Sequence, residues 1–302
     1  MLKIIDNNGN LSIFNGSEEI FGFNSMRKFA VAGKGKAKYI MSHGSFKFKD
    51  SVKCETDLFL RIVKSTPGET VCELSDKTGH KLFNVFFSIS ANLLNIHFEP
   101  LTNDNFNRLR ITLPAEEGEH VYGCGENFTV FNLRGEKVRI WVAEHNNAFR
   151  IARKIIAEKI RGKKPEKILS FSNYQTYYAQ PTFISDRKYF VHLNTSAYSE
   201  FDFKCEKCHE IALREIADIT IGFADDYENL MTVLTEKLGR QPCLPDWAFE
   251  GAVLGIQGGT EAVLSKLDKA AAYGMKVAGV WCQDWEGARI TMIGKQLMWN
   301  WE

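Results

Sequence analysis

The sequence has no long apolar run. Its most hydrophobic stretch, Phe83 to Phe98, is broken by Asn84, Ser88, Ser90, Asn92, Asn95 and His97, so no helix there could span a bilayer. It also lacks an excess of charge of either sign. Its 38 Lys+Arg against 37 Asp+Glu leave a formal net charge of +1, which argues against binding nucleic acid along its length. The opening MLKIIDNNGN has neither an apolar core nor a small-residue cleavage site, so it does not read as a secretory signal. The 7 cysteines are an odd number scattered over a long chain, and without an export signal they read as reduced thiols of a cytoplasmic protein. The 7 histidines show no H-x-x-x-H or triad spacing, and none is assigned chemistry or a metal. No fixed-period repeat is present.

What is present is core-forming material. Apolar residues make up 44% of the chain, with 22 Phe, 6 Trp and 9 Tyr, which excludes a disordered chain. A length of 302 residues suggests about two domains.

The first 225 or so residues read as β-rich. Short apolar runs alternate with Gly, Asn, Asp and Ser clusters, among them Lys38–Ile40, Phe46–Phe48, Asp57–Val63, Leu82–Ile89, Leu94–Phe98, Arg108–Thr112, Lys137–Val142, Tyr189–Leu193 and Phe201–Phe203. A turn signal about every ten residues predicts an antiparallel sandwich. Residues 149–167 depart from this: Ile151, Ile155, Ile156 and Ile160 fall at helical spacing among many Lys and Arg, which predicts a solvated basic helix inserted between strands. Residues 225–238 predict a helix that starts on acidic residues and ends at Gly239. The two-proline segment 240–246 marks a domain boundary, giving domains 1–240 and 241–302.

Beyond the boundary the period changes. Trp247 to Gln257 is an apolar run of strand length. Thr260 is a candidate N-cap for a helix with Val263, Leu267, Ala270 and Ala271 on one face, and Gly274 stops it. Lys276 to Cys282 is a second apolar run. Strand, helix, strand predicts a parallel pair buried on both faces. Gln257, Gln283 and Asp284 then lie at the carboxyl rim, where α/β folds bind ligands. The tail from Trp281 to Trp301 mixes indoles, amides, a carboxylate and Lys295, a combination suited to the apolar faces and hydroxyls of a sugar. Trp281 itself reads as core. Cys205-x-x-Cys208-His209 has redox-pair and haem-attachment spacing but reads as a turn between strands: no export signal supports haem attachment, a thiol redox pair is expected at a helix start in a βαβ context rather than after the Phe201–Phe203 strand, and no further metal ligands are nearby.

Tyr122-Gly-Cys-Gly-Glu126, Asn132-Leu-Arg-Gly135, Gly239-Arg-Gln-Pro-x-Leu-Pro-Asp-Trp247, Leu254-Gly-Ile-Gln-Gly-Gly-Thr-Glu261, Gln283-Asp-Trp285 and Gly294-Lys-x-x-Met-Trp-Asn-Trp301 resemble glycoside hydrolase family 31. The last three resemble its sulfoquinovosidase branch, whose members release sulfoquinovose from α-glycosides. The resemblance runs from about residue 119 onward. It implies a mainly β fold: an N-terminal antiparallel β-sandwich of galactose mutarotase-like type, then the first βαβ of an incomplete (β/α)8 barrel. It also implies a retaining mechanism in which one Asp is the nucleophile and another the acid/base, after the fourth and sixth barrel strands. A whole barrel takes about 250 residues, so the expectation is that neither Asp is present and that the chain alone is inactive. Asp284 and Glu286 belong to the second strand's loop and fill neither role.

By the same resemblance Gln257 and Gln283 match amides that bind sugar hydroxyls, Trp299 matches the indole that bonds the sulfonate, and Glu126 positions the substrate. The branch's sulfonate-binding Arg falls on Gln296, a departure, because a neutral amide lacks the charge-assisted bidentate bonds of a guanidinium. Lys295 and Arg289 are the nearby cations. No cofactor or metal is implied, and the partner is a carbohydrate rather than nucleic acid or membrane. The alternative is a non-catalytic carbohydrate-binding or regulatory protein built on the sandwich.

Overall fold

The computed structural model describes residues 2–42, 45–126, 130–142, 156, 160, 162, 176–282, 288–291 and 294–297. The basic segment 149–167 therefore lies almost wholly outside the described residues. Two compact units are present, Met1–Leu238 and Gly239–Glu302.

In the first unit, β1 (Leu2–Asn7), β2 (Asn10–Asn15) and β3 (Glu18–Phe23) form a small meander. Next come β4 (Lys28–Ser42), β5 (Ser45–Ser65), β6 (Glu69–Ser75), β7 (Lys81–Ser90), β8 (Leu93–Pro100) and β9 (Arg108–Pro114). They are followed by β10 (Val121–Gly125), β11 (Lys137–Ile140), β12 (Ala179–Ser185), β13 (Tyr189–Leu193), β14 (Ser199–Asp202), β15 (Cys208–Leu213) and β16 (Ile219–Phe223). Among the described residues these thirteen strands make one sheet, ordered β10-β12-β13-β16-β8-β7-β6-β5-β4-β9-β15-β14-β11. Every neighbouring pair is antiparallel.

The sheet folds over on itself. Phe183 of β12, near one end of the order, meets Phe201 of β14, near the other end, with ring centroids 5.2 Å apart and edge to face. The two layers bury alternate residues of many strands: in β6 Thr70, Cys72 and Leu74 are fully buried and the residues between them are half-buried, whereas β16 is buried at every position. The run expected as separate short strands at Lys38–Ile40 and Phe46–Phe48 is instead one long hairpin, β4–β5, paired from Lys28↔Phe59 to Ser42↔Ser45. Turn residues there are too sparse to stop either strand, and pairing along the whole length satisfies the backbone.

Helix α1 (Tyr227–Leu238) starts where Asp226 accepts the Asn229 N–H at 2.7 Å, a side-chain cap, and ends at Gly239 with φ +94°. Its Leu230 and Leu234 cover Phe190 of β13. That ring lies over Gly222 of β16, its cross-strand partner. Any Cβ at Gly222 would collide with the Phe190 ring.

In the second unit, β17 (Ala252–Ile256) and β18 (Val277–Cys282) pair in parallel, joined by α2 (Thr260–Ala272). The strand expected from Trp247 is shorter than its apolar run, because Asp246–Phe249 form a 3-10 turn. Thr260 is not the cap. Gly259, at φ +89°, occupies that position without a side-chain bond, since the Gly258-Gly259 turn takes the left-handed geometry only glycine adopts freely. Trp281, expected in the core, is 65% exposed. A hairpin of β19 (Ala288–Thr291) and β20 (Gly294–Leu297) follows.

Gly222→Ala should cost about 1–3 kcal/mol, the range for overpacking a tight site. Urea denaturation followed by far-ultraviolet circular dichroism measures it. Combining Gly222→Ala with Phe190→Leu should cost less than the two singles summed, because the shared collision is removed; strict additivity would contradict this packing.

Candidate functional site

The Tyr122–Glu126 segment ends β10 in an irregular bend. Three successive residues have positive φ: Gly123 at 106°, Cys124 at 62° and Gly125 at 90°. The register shifts between Gly123, opposite Phe183, and Gly125, opposite Ala179. The facing strand carries Pro181 in that gap, and proline has no N–H to give to a ladder. Both glycines are required by space as well as by φ. A Cβ at Gly123 would lie 2.9 Å from the Thr182 carbonyl oxygen, and one at Gly125 would overlap the Tyr178 carbonyl oxygen. The bend presents Glu126 as an exposed residue, with its N–H donating to the Tyr178 carbonyl at 2.9 Å. Cys124 is buried, and burial raises its thiol far above the ordinary range, so it is no nucleophile.

The base of the bend is held by the Asn132–Gly135 loop. The Val121 N–H donates to Asn132 Oδ1 at 3.2 Å, and the Leu133 N–H donates to the Val121 carbonyl at 2.7 Å. Arg134 then reaches inward. Its Nη1 donates to Nδ1 of His209, 3.2 Å away, and its Nη2 to the carbonyls of Glu116 (3.1 Å) and Glu206. A guanidinium can only donate, so Nδ1 is the acceptor and the neutral His209 ring carries its proton on Nε2. That proton faces Glu119 Oε1 at 3.2 Å.

Glu119 and His209 are both buried. Glu119 Oε1 also accepts from Ser185 Oγ and Tyr189 Oη, each at 2.5 Å, and Oε2 accepts the Glu116 N–H at 3.0 Å. Burial pushes this carboxyl up, but its interaction with His209, by hydrogen bond and charge, and the hydrogen bonds from Ser185 and Tyr189 outweigh it and hold the group well below the usual carboxylate range. Neither Glu119 nor His209 was singled out from the sequence. A loop residue and a strand residue 90 positions apart carry no spacing signal, although Glu119 opens the stretch that resembles the family.

In the second unit, Ile256 and Cys282 are paired at the carboxyl ends of the two parallel strands, and Gln257 follows the first as an exposed residue. Gln283, Asp284 and Trp299 lie outside the described residues. Gln296 is on β20, with Arg289 as its cross-strand backbone partner and Lys295 opposite Ile290. The described structure brings no two of Glu126, Gln257 and Gln296 together within one unit, except that Gln257 and Gln296 share the second.

Two further cavities are present in the first unit. One of about 180 Å³ is lined by Arg108, Arg110, Lys137, Arg214, Glu55 and Glu200, whose charges are already paired, for example Arg110–Glu55 at 3.6 Å and Lys137–Glu200 at 3.0 Å. The other, about 450 Å³, is lined by Trp141, Pro181, Thr195 and Ser196 among others. Among the described residues there is no group of three or more His, Cys, Asp or Glu placed to hold a metal, and no helix is long and apolar enough to cross a membrane.

Residues 2–150 match the model of the glycosyl hydrolase 31 N-terminal galactose mutarotase-like domain. The chain is 38% identical to a sulfoquinovosidase of Escherichia coli (strain K12) over 273 residues, 89% of this chain and 39% of the relative. It is 34% identical to a sulfoquinovosidase of Agrobacterium fabrum over 272 residues, 90% of this chain and 39% of the relative. Among solved structures, a family 31 sulfoquinovosidase from E. rectale in complex with an aza-sugar inhibitor is similar with a TM-score of 0.81 and 33% identity, over 99% of this chain and 44% of that one. The chain belongs to glycoside hydrolase family 31. It spans 39% of the length of the curated relatives it matches. The family resemblance stated from the motifs is thereby supported along the chain, and the mainly β architecture fits the galactose mutarotase-like domain.

Glu119→Gln should destabilise the chain at pH 7 by about 3 kcal/mol, because an amide nitrogen must face either the Glu116 N–H or the three donors on the other oxygen. Since the folded carboxyl sits below its unfolded value, its contribution is full above the ordinary carboxyl range and is lost as pH falls toward the folded value. The difference between wild type and variant in urea unfolding should therefore shrink from pH 5 downward; a constant difference would contradict the assignment.

Proposed function

We propose that this chain is the front portion of a retaining α-glycoside hydrolase acting on α-sulfoquinovosides. In this reading the β-rich unit is the N-terminal sandwich (residues 1–240). Residues 241–302 begin a (β/α)8 barrel whose catalytic Asp pair is not in this chain. Gln257 and Gln283 bind sugar hydroxyls at the carboxyl rim, Trp299 and the Gln296 position receive the sulfonate, and Glu126 positions the substrate. The site works without a cofactor or metal, in the cytoplasm.

The observation that carries the barrel reading is the state of the second unit. Among its described residues Ile256 is the buried one, whereas Trp247 (54%), Phe249 (75%), Val253 (58%), Leu264 (56%) and Trp281 (65%) are exposed. Parallel strands with near-continuous apolar sequence belong in sheets covered on both faces. Further βα units are the natural cover, and the 39% coverage of the relatives supports that.

The second reading, a non-catalytic carbohydrate-binding protein, draws on the 450 Å³ cavity beside Trp141, which is large enough for a sugar and offers an indole with the hydroxyls of Thr195 and Ser196. One pair of measurements separates the two. The purified chain should give no turnover of an aryl α-sulfoquinovoside, and hydrolysis would overturn the assignment of the catalytic pair elsewhere. Calorimetric sugar binding abolished by Trp141→Ala but untouched by Gln257→Ala would favour the binding module.

A further inference from the structure

A cysteine pair stands outside everything described above. Cys205 and Cys208 flank the Glu206–Lys207 turn that joins β14 to β15. The outer Cα atoms of a four-residue turn lie within about 7 Å, the reach of a disulfide. Both are free thiols, Cys205 exposed and Cys208 half-buried. The turn is clamped from within: Arg134 donates to the Glu206 carbonyl, and the Ala115 N–H donates to the Lys207 carbonyl at 3.0 Å.

The pair borders a cavity of about 370 Å³ whose lining includes Arg27, Lys28, Lys207 and Phe29. Lys28 is paired with Asp57 at 3.5 Å, but neither Arg27 nor Lys207 has an ion-pair partner among the described residues. The cavity therefore carries uncompensated positive charge beside two thiols, which favours a reagent bearing carboxylates.

We propose that Cys205 and Cys208 form a thiol–disulfide exchange site for small acidic disulfides of the glutathione type. Cys205, as the thiolate, attacks one sulfur of the incoming disulfide. One small thiolate leaves, and Cys205 holds the other half as a mixed disulfide. Cys208 then loses its proton to solvent and attacks Cys205 Sγ, expelling the second small thiolate. The chain gains one disulfide, the reagent is reduced to two thiols, and no other oxidant is needed.

The order of attack follows from the environment. Cys205 is exposed and meets the reagent first, whereas Cys208 is half-buried, with burial raising its thiol, and acts second.

The test uses the reduced, full 302-residue chain. Glutathione disulfide, neutral 2-hydroxyethyl disulfide and cationic cystamine are each added, with rates normalised to those of free cysteine and products read by intact mass and peptide mapping. The wild type should lose two hydrogen atoms and yield a Cys205–Cys208 cross-linked peptide. Cys208→Ser should stop at a glutathione adduct on Cys205, and Cys205→Ser should form neither. Glutathione disulfide should react about tenfold faster than cystamine at low salt, and the preference should vanish in Arg27→Ala/Lys207→Ala or at high salt. A glutathione adduct that persists on wild-type Cys205, a cross-link to another cysteine, or cystamine reacting as fast as glutathione disulfide would overturn the proposal.

Discussion

The carboxylate of Glu119 is buried with both oxygens engaged, and the strands around it hold their relative positions through it. Its partners come from the end of β12 (Ser185), the start of β13 (Tyr189), β15 (His209) and the turn at Glu116. In the sheet order β15 is far from β12 and β13, so one side chain joins both layers of the folded sheet. An ionised group in such a place is tolerable only while every acceptor is matched to a donor. The His209 ring passes the connection on to Arg134, which donates to its other nitrogen. Edge-on contacts from Phe183 and Phe203 at 5.4 and 5.3 Å fix the imidazole plane.

From that joint the effect travels to the bend at Tyr122–Glu126. Arg134 belongs to the loop whose Asn132 and Leu133 bond both backbone groups of Val121, the residue at which β10 begins. The bend therefore rises from a base that is fixed on two sides. Its three positive-φ residues are strained for any side chain but glycine at two of them. Strain of this kind persists when neighbouring structure leaves no alternative, and the buried network supplies that constraint. Arg187 extends the same principle to the small meander, bonding Glu18 at 2.9 Å and the Ile20 carbonyl at 3.2 Å while also pairing with Glu116 at 3.0 Å.

What could be read from the residues follows from how each feature is encoded. Alternation is local, so β8 and β9, whose buried residues alternate, were legible, as were the strand–helix–strand pattern after residue 250 and the turn at Cys205–Cys208. Hairpin length was not, because the apolar residues of β4 and β5 come in short runs separated by Gly, Lys, Asp and Ser, which read as strand ends although the pairing continues through them. Thr260 reads as a cap on chemistry alone, but the geometry of Gly259 decides where the helix begins. The Glu119–His209–Arg134 chain was not legible, although His209 and Arg134 stand in motifs quoted above, because nothing in the residue order pairs a side chain of β15 with the loops before and after β10. At the carboxyl rim of the second unit, the parallel direction of the two strands was legible. The positions of Gln283 and Trp299 lie outside the described residues.

The two units differ in kind rather than in size alone. The first buries a continuous apolar cluster running from Leu2 to Phe223, and α1 seals its remaining aromatic surface at Phe190. The second has strands with the sequence of an interior sheet and a helix without a buried residue. Burial contributes roughly 25 cal/mol per Å² of apolar area, so a unit that leaves its indoles and aliphatic side chains in water forgoes most of what could offset the entropy of ordering its backbone. Its parallel ladder is the weaker kind of strand pairing and cannot make up that difference. The apolar pattern of β17 and β18 thus encodes contacts beyond those the described residues make, whereas the pattern of the first unit is already satisfied within it.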